Sequence, residues 1–187
     1  MIIATLSEVK GSKSLLSAYK SSIFLVRTSQ GISLCCNAQR DDLVERIRYL
    51  KVDFSAKYAV IPPGRCWIES NCEEEKDLDK YLDLYDDACG ALSKVCFTLI
   101  LRLGNNKTVS HLVGLGHDTI GVKISDDPFF ELVNVMGIPI LSTTPARINA
   151  YGVDSVDDIH PEIVKSCSFF IESESRLKSK EAKIIRW

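Results

Sequence analysis

The 187-residue sequence carries almost no net charge: 23 lysines and arginines stand against 25 aspartates and glutamates, a formal balance of -2. That balance recommends neither nucleic acid nor an anionic membrane as a partner, so any nucleotide contact must be local. The sequence also lacks an uninterrupted apolar run of about eighteen residues, the length a membrane-spanning helix needs. The opening MIIATLSEVKGSK has too short an apolar stretch for a secretory leader, so a soluble, cytoplasmic protein is expected.

Metal-ligand patterns are missing too. Seven cysteines, at 35, 36, 66, 72, 89, 96 and 167, include no C-x-x-C pair, and His111, His117 and His160 share no ligand spacing with them or with one another. No metal site built from protein ligands is therefore expected, and the cysteines read as reduced, mainly core residues. Adjacent Cys35 and Cys36 point to opposite faces of a strand and cannot chelate together. Gly114-Leu-Gly116 lacks the third glycine and the strand-to-helix setting of a phosphate loop. No grouping of nucleophile, base and orienting residue supports acyl transfer or proteolysis. Repeats, linkers and low-complexity tracts are absent as well.

What is present alternates between two periodicities. Short apolar runs rich in β-branched residues at 23–26, 32–36, 58–61, 97–103, 119–124, 138–141, 168–171 and 182–185 read as strands. Between them, Leu43, Ile47 and Leu50 place an apolar stripe on a helix opened by Asp41 and Asp42. Leu78, Leu82, Tyr85, Cys89 and Leu92 predict a longer helix behind an acidic first turn at 73–77. Asp127-Pro128 predicts a helix start and Gly137 its end, and Ser155 with Asp158 predicts a capping box before Ile159, Ile163 and Val164. The alternation implies one α/β domain over residues 1–187, a twisted mixed sheet with helices packed around it. The Thr-, Pro-, Asn- and Gly-rich stretch 143–154 follows a buried strand, where ligands commonly bind in open sheets.

Four segments, in order, resemble the YrdC-like family. Val26-Arg-Thr-Ser-Gln-Gly-Ile-Ser-Leu-Cys-Cys-Asn-Ala38 is similar to "P-T-D-T-V-Y-G-L-G-C-D-A", with Ser29 at the acidic position and Ile32 at the tyrosine. Residues 45–58 are similar to "E-R-I-Y-x-L-K-x-R-P-x-x-K-P-L": Lys51 and Lys57 fall on the lysines, Asp53 on the arginine, Phe54 and Tyr58 on the prolines. Residues 97–101 resemble "P-G-P-x-T-F-I-L" with Thr98 on the threonine, and residues 118–128 resemble "D-T-V-A-V-R-I-P-D-H-P" with Lys123 for arginine. Residues 137–147 are similar to "G-x-P-L-V-A-T-S-A-N-R-S-G", Ala146 standing at the asparagine.

The resemblance implies a single-domain fold with a concave ligand-binding cavity and the activity of an L-threonylcarbamoyladenylate synthase, a nucleotidyltransferase of tRNA modification. Threonine, bicarbonate and ATP with Mg²⁺ as its counter-ion would be condensed to threonylcarbamoyl-AMP and pyrophosphate, with no tightly bound cofactor. Separate threonylcarbamoyl-transferase proteins would complete the transfer to tRNA. Such a reaction runs on positioning and positive charge rather than covalent chemistry. Lys51 and Lys57 are the implied catalytic cations. ATP and substrate would be held by Lys123, by the hydroxyls of Thr28, Thr98, Ser142, Thr143 and Thr144, and by the guanidinium forks of Arg147 and Arg176.

Each residue also has a plainer reading. Lysines at a helix end complement the helix dipole, strand-end threonines finish a ladder, and Lys123 on a strand alternation is a solvated position. The departures at Ile32, Asp53 and Ala146 open an alternative of a catalytically degenerate member that binds a nucleotide or RNA, as relatives with affinity for double-stranded RNA do.

Overall fold

The structure, a computed structural model, describes residues 1–73, 78, 79, 82, 83, 96–105, 107–125, 127–147, 153–172 and 183–185. Its strands are β1 (Ile2–Thr5), β2 (Phe24–Thr28), β3 (Gly31–Asn37), β4 (Ala59–Ile61), β5 (Cys96–Arg102), β6 (Thr119–Ser125), β7 (Ile140–Thr143), β8 (Phe169–Glu172) and β9 (Lys183–Ile185). Helices α1 (Leu6–Gly11), α2 (Lys13–Lys20), α3 (Asp41–Lys51), α4 (Arg65–Asn71), α5 (Pro128–Met136) and α6 (Pro161–Ser166) connect them. All strands form one mixed sheet in the order β1-β8-β2-β3-β7-β4-β6-β5-β9. The sheet contains both parallel pairs (β1 with β8, β4 with β6) and antiparallel ones (β2 with β3, β5 with β6), as expected for an α/β layered domain.

Side chains alternate between two cores. Leu25, Leu34, Cys36, Val60, Leu99, Val122 and Leu141 face the first, against Leu43, Val44 and Ile47 of α3, Ile68 of α4 and Ile163 of α6. Phe24, Val26, Cys35, Ile61, Ile140 and Ile171 face the second, against Leu6 and Val9 of α1, Tyr19 of α2 and Phe129, Leu132 and Val133 of α5. β2 and β3 are buried on both sides, which is why those runs read as near-continuous apolar segments.

The eight expected strands are present within a residue or two of their bounds. The strand and helices at 2–20 and the short helix α4 were not expected. β1 is a four-residue edge strand whose Ile2 and Ile3 are exposed, and α1 begins through a capping box at Thr5 and Glu8 in a segment too polar to show an apolar stripe. The start at Ser155 is corrected: Ser155 caps only a single 3₁₀ turn, Val156–Asp158, and α6 opens at Pro161 with His160 as its N-cap rather than as an internal residue. Proline at 161 fixes that boundary because it lacks an N–H and fits the first helical position. The helix predicted over 78–92 is helical at 78, 79, 82 and 83; its other positions lie outside the described residues, as does Arg176.

α5 starts as expected. The Asp127 carboxylate accepts from Phe129 N at 2.9 Å and from Ser29 N, in the β2–β3 turn, at 2.6 Å. One side chain therefore fastens the helix start to a hairpin 98 residues away in sequence. Burial pushes the Asp127 carboxyl up, with the Phe129 and Ser29 amides and the Lys123 charge pulling the other way. A carboxyl raised in the folded state stabilises fully below its ordinary value of 3.8 and loses that contribution as pH rises through the folded value. Asp127→Asn keeps the acceptor without the charge, so its melting temperature should vary less than the parent's between acid and neutral pH. Asp127→Ala loses the cap and orphans the Ser29 amide, an expected loss of about 2–3 kcal/mol in denaturant melts.

Candidate functional site

The ladder register places Cys35, Ser142, Ala59, Gly121 and Ile100 in one row across β3, β7, β4, β6 and β5. Directly opposed residues share a face, here the face of the second core. One step along, Lys123 on β6 stands opposite Thr98 on β5. Helices α1, α2 and α5 cover this face over the first half of the sheet. Over β4, β6 and β5, Ala59, Gly121, Lys123, Thr98 and Ile100 are only half-buried, whereas their alternates Val60, Val122 and Leu99 are buried in the first core. Among the described residues no helix covers this part of the sheet, whose floor includes the small side chains of Ala59 and Gly121. A Cβ on Gly121 would lie 3.2 Å from Thr98 Cγ2 and 3.3 Å from Ala59 Cβ.

Lys123 puts a cation on that face, as does Arg102 opposite Thr119 further along β5. The Lys123 charge reaches both the Cys35 thiol and the Asp127 carboxyl, and draws each toward ionisation. Burial nevertheless pushes the Cys35 thiol up to about 12 despite Lys123 and the Ser142 hydroxyl, so Cys35 stays a thiol and serves as wall rather than nucleophile.

Lys51, in the last turn of α3, is buried and reaches the loop after β7 from the other side. Its ammonium donates to Thr144 O at 2.7 Å and Ala146 O at 2.9 Å. Burial pulls its pKa down, and the Asp53 carboxylate opposes that. Lys51 therefore fastens the segment that carries Thr144 to α3, a stronger role than dipole complementation.

The other expected residues divide. Ser142 lies in the small-residue row, with Thr98 and Lys123 on the same face. Thr143 is opposite Leu34 and so alternates toward the first core, and the Thr144 hydroxyl accepts from Ala146 N at 3.4 Å. Lys57 is exposed two residues before Ala59. The buried Thr28 hydroxyl is used within the β2–β3 turn, donating to Gly31 O at 2.9 Å and accepting from Gln30 N at 3.2 Å. Arg147 donates to Leu50 O at 3.1 Å, pairs with Glu162 and sits 3.1 Å from His160 Nε2, joining α3 to α6. Asp53 turns into its own loop, its Oδ1 accepting from Ala56 N at 3.0 Å and Ser55 Oγ at 3.2 Å. Ile32 is core, and Ala146 packs partly buried against the same core. Among the described residues, no cluster of three His, Cys, Asp or Glu side chains is placed to hold a metal ion, and no helix is long and apolar enough to cross a membrane.

Sequence reasoning missed the floor, Asp127's link to the hairpin, and Arg48. The floor had a signal: Ala59 and Gly121 both break β-branched runs at alternate positions, as strands do where something approaches closely.

Residues 19–187 match the model of the Sua5/YciO/YrdC family, described as telomere recombination. The chain belongs to this family. None of the curated protein sequences matches it. Among solved structures of the family's fold, YciO of E. coli has a TM-score of 0.74 at 15% identity, covering 100% of this chain and 88% of that one. Sua5 of P. abyssi complexed with L-threonine has a TM-score of 0.72 at 14% identity over 100% of this chain and 53% of its own. Full-length HypF in its phosphate- and nucleotide-bound form has a TM-score of 0.66 at 19% identity, over 87% of this chain and 24% of that one. The chain thus spans about half of Sua5 and about a quarter of HypF. At these identities the structural likeness speaks for the Sua5/YciO/YrdC fold alone.

Proposed function

We propose that the open face over β4, β6 and β5 binds ATP with its Mg²⁺ and L-threonine, and that the protein makes threonylcarbamoyl-AMP for tRNA modification. The threonine amine takes up bicarbonate with loss of water to give a carbamate. A carbamate oxygen then attacks the α-phosphorus of ATP and expels pyrophosphate. Transfer to tRNA falls to separate threonylcarbamoyl-transferase proteins. The observation that carries the reading is Lys123 standing opposite Thr98 on a floor of small side chains, one step from Ser142. A cation and hydroxyls on an otherwise unencumbered surface suit a polyanion and a small amino acid. Family membership supports the same reading, as do a Sua5 relative reported with L-threonine and a HypF relative reported with nucleotide.

Calorimetric titration of MgATP and of threonine tests it. Lys123→Met should weaken MgATP binding by about tenfold or more, the worth of one charge-assisted contact. MgATP affinity unchanged by the substitution would remove Lys123 from the site.

One observation favours a second reading, a binding protein without synthesis. Asp53 offers a carboxylate where the family pattern has arginine, and the Lys51 ammonium is already engaged by two carbonyls. That reading predicts MgATP or RNA binding with no pyrophosphate release.

A further inference from the structure

Arg48 is 4% exposed in the last turn of α3, and every hydrogen bond it makes among the described residues goes to a main-chain carbonyl. Nε donates to Leu112 O at 3.0 Å, Nη2 donates to Ala56 O at 2.8 Å and also to Leu112 O, and Nη1 reaches Phe54 O at 3.3 Å. The guanidinium lies 4.7 Å from the centroid of the buried Tyr58 ring. A planar fork with five donors can serve three carbonyls and stack at once, which an ammonium cannot.

The carbonyls it takes are not scattered. Phe54 and Ala56 belong to the short segment between Lys51 and Lys57, and Leu112 to the loop whose Val113 O accepts from Tyr58 N at 3.0 Å. The same segment is fixed from within by Asp53, and its first residue, Val52, sits in the left-handed region at φ 54, a costly place for a β-branched residue. Surrounding contacts must over-determine such a conformation, and Arg48 supplies three of them. At 54 and 58, where the sequence has Phe and Tyr rather than the prolines of the family pattern, no ring fixes φ. The chain is held instead by donors attached to its carbonyls and by an aromatic face.

We propose that Arg48 is a positioning residue: it clamps residues 52–58 so that Lys57 is presented at the edge of the β4 floor. This rests on the proposed ligand site for its consequence in binding, but the clamp itself is a property of the free protein.

The test is hydrogen exchange on the full chain, parent against Arg48→Lys and Tyr58→Phe, with MgATP titrations alongside. Arg48→Lys retains the charge and loses the fork. Amides of 53–58 and 113 should exchange about tenfold faster, the equivalent of one lost charge-assisted hydrogen bond, while β2, β3 and β8 keep the parent's protection. Tyr58→Phe keeps the stacked ring and removes a hydroxyl that has no partner among the described residues, so its exchange should match the parent's. MgATP affinity should fall in Arg48→Lys and hold in Tyr58→Phe. Faster exchange spread evenly over the sheet, or unchanged exchange at 53–58, would make Arg48 a packing residue and overturn the clamp. A parent that fails to bind MgATP would count against the ligand site, and the exchange pattern would still decide the clamp.

Discussion

Lys51→Met should lower pyrophosphate release by about 10²-fold, the effect of letting the loop after β7 shift by about an ångström beside the site. The argument starts from burial. An ammonium out of water is costly, as the downward push on its pKa reflects, and it is tolerated because Thr144 O and Ala146 O accept from it at 2.7 and 2.9 Å. Methionine fills a similar volume but donates nothing, so the loop after β7 loses its tether to α3, and with it the placing of Thr144. Two carbonyls become unpaired while a buried charge is removed. These terms partly offset, leaving a net stability loss of about 1–3 kcal/mol. Denaturant melts alongside product assays separate the two consequences. A variant as active as the parent would show that the loop needs no tether from α3.

Gly121→Val should abolish ligand binding more thoroughly than any single charge removal. Gly121 sits between Ala59 and Ile100 in the small-residue row, and even a Cβ there would press on Thr98 Cγ2 and on Ala59. A β-branched side chain must therefore rise from the floor or push β4 and β5 apart. Valine suits a strand, and the backbone at 121 is ordinary, so the sheet should survive at a cost of about 1–3 kcal/mol from overpacking. Gly121→Ala is the milder companion and should weaken binding less. Calorimetric titration with MgATP and threonine reads both. Full binding by a folded Gly121→Val would place the ligand elsewhere.

Much of the fold was legible because the central strands bury at least one face and β2 and β3 bury both. The run at 32–36 is buried on both sides, that at 119–124 alternates buried Ile120, Val122 and Ile124 with half-buried Thr119, Gly121 and Lys123, and Asp127, Pro128 and Gly137 mark α5 by chemistry that acts within a few residues. The amino-terminal elements were not legible, since β1 is a short edge strand and α1 and α2 bury only Leu6, Val9 and Tyr19 in the second core.

The candidate site was legible in part. Lys123, Thr98 and Ser142 do share a face, but that follows from pairings between β5, β6, β7 and β4 that no local pattern encodes. Thr28 and Arg147 were read as ligand contacts from their residue types, yet the hydroxyl closes a turn and the guanidinium joins α3 to α6. Lys51 carried two readings, an implied catalytic cation and a helix-end cation, and Arg48 carried none. Burial alone distinguishes them, and burial depends on a loop 93 to 95 residues further on for one and 64 for the other.

The central claim is tested most directly by pyrophosphate release from MgATP in the presence of threonine and bicarbonate, each omitted in turn, with mass detection of the adenylate. The account predicts release that requires both co-substrates and a product of the mass of threonylcarbamoyl-AMP. Absence of release by folded protein that binds MgATP would contradict it and leave a binding protein of the same fold.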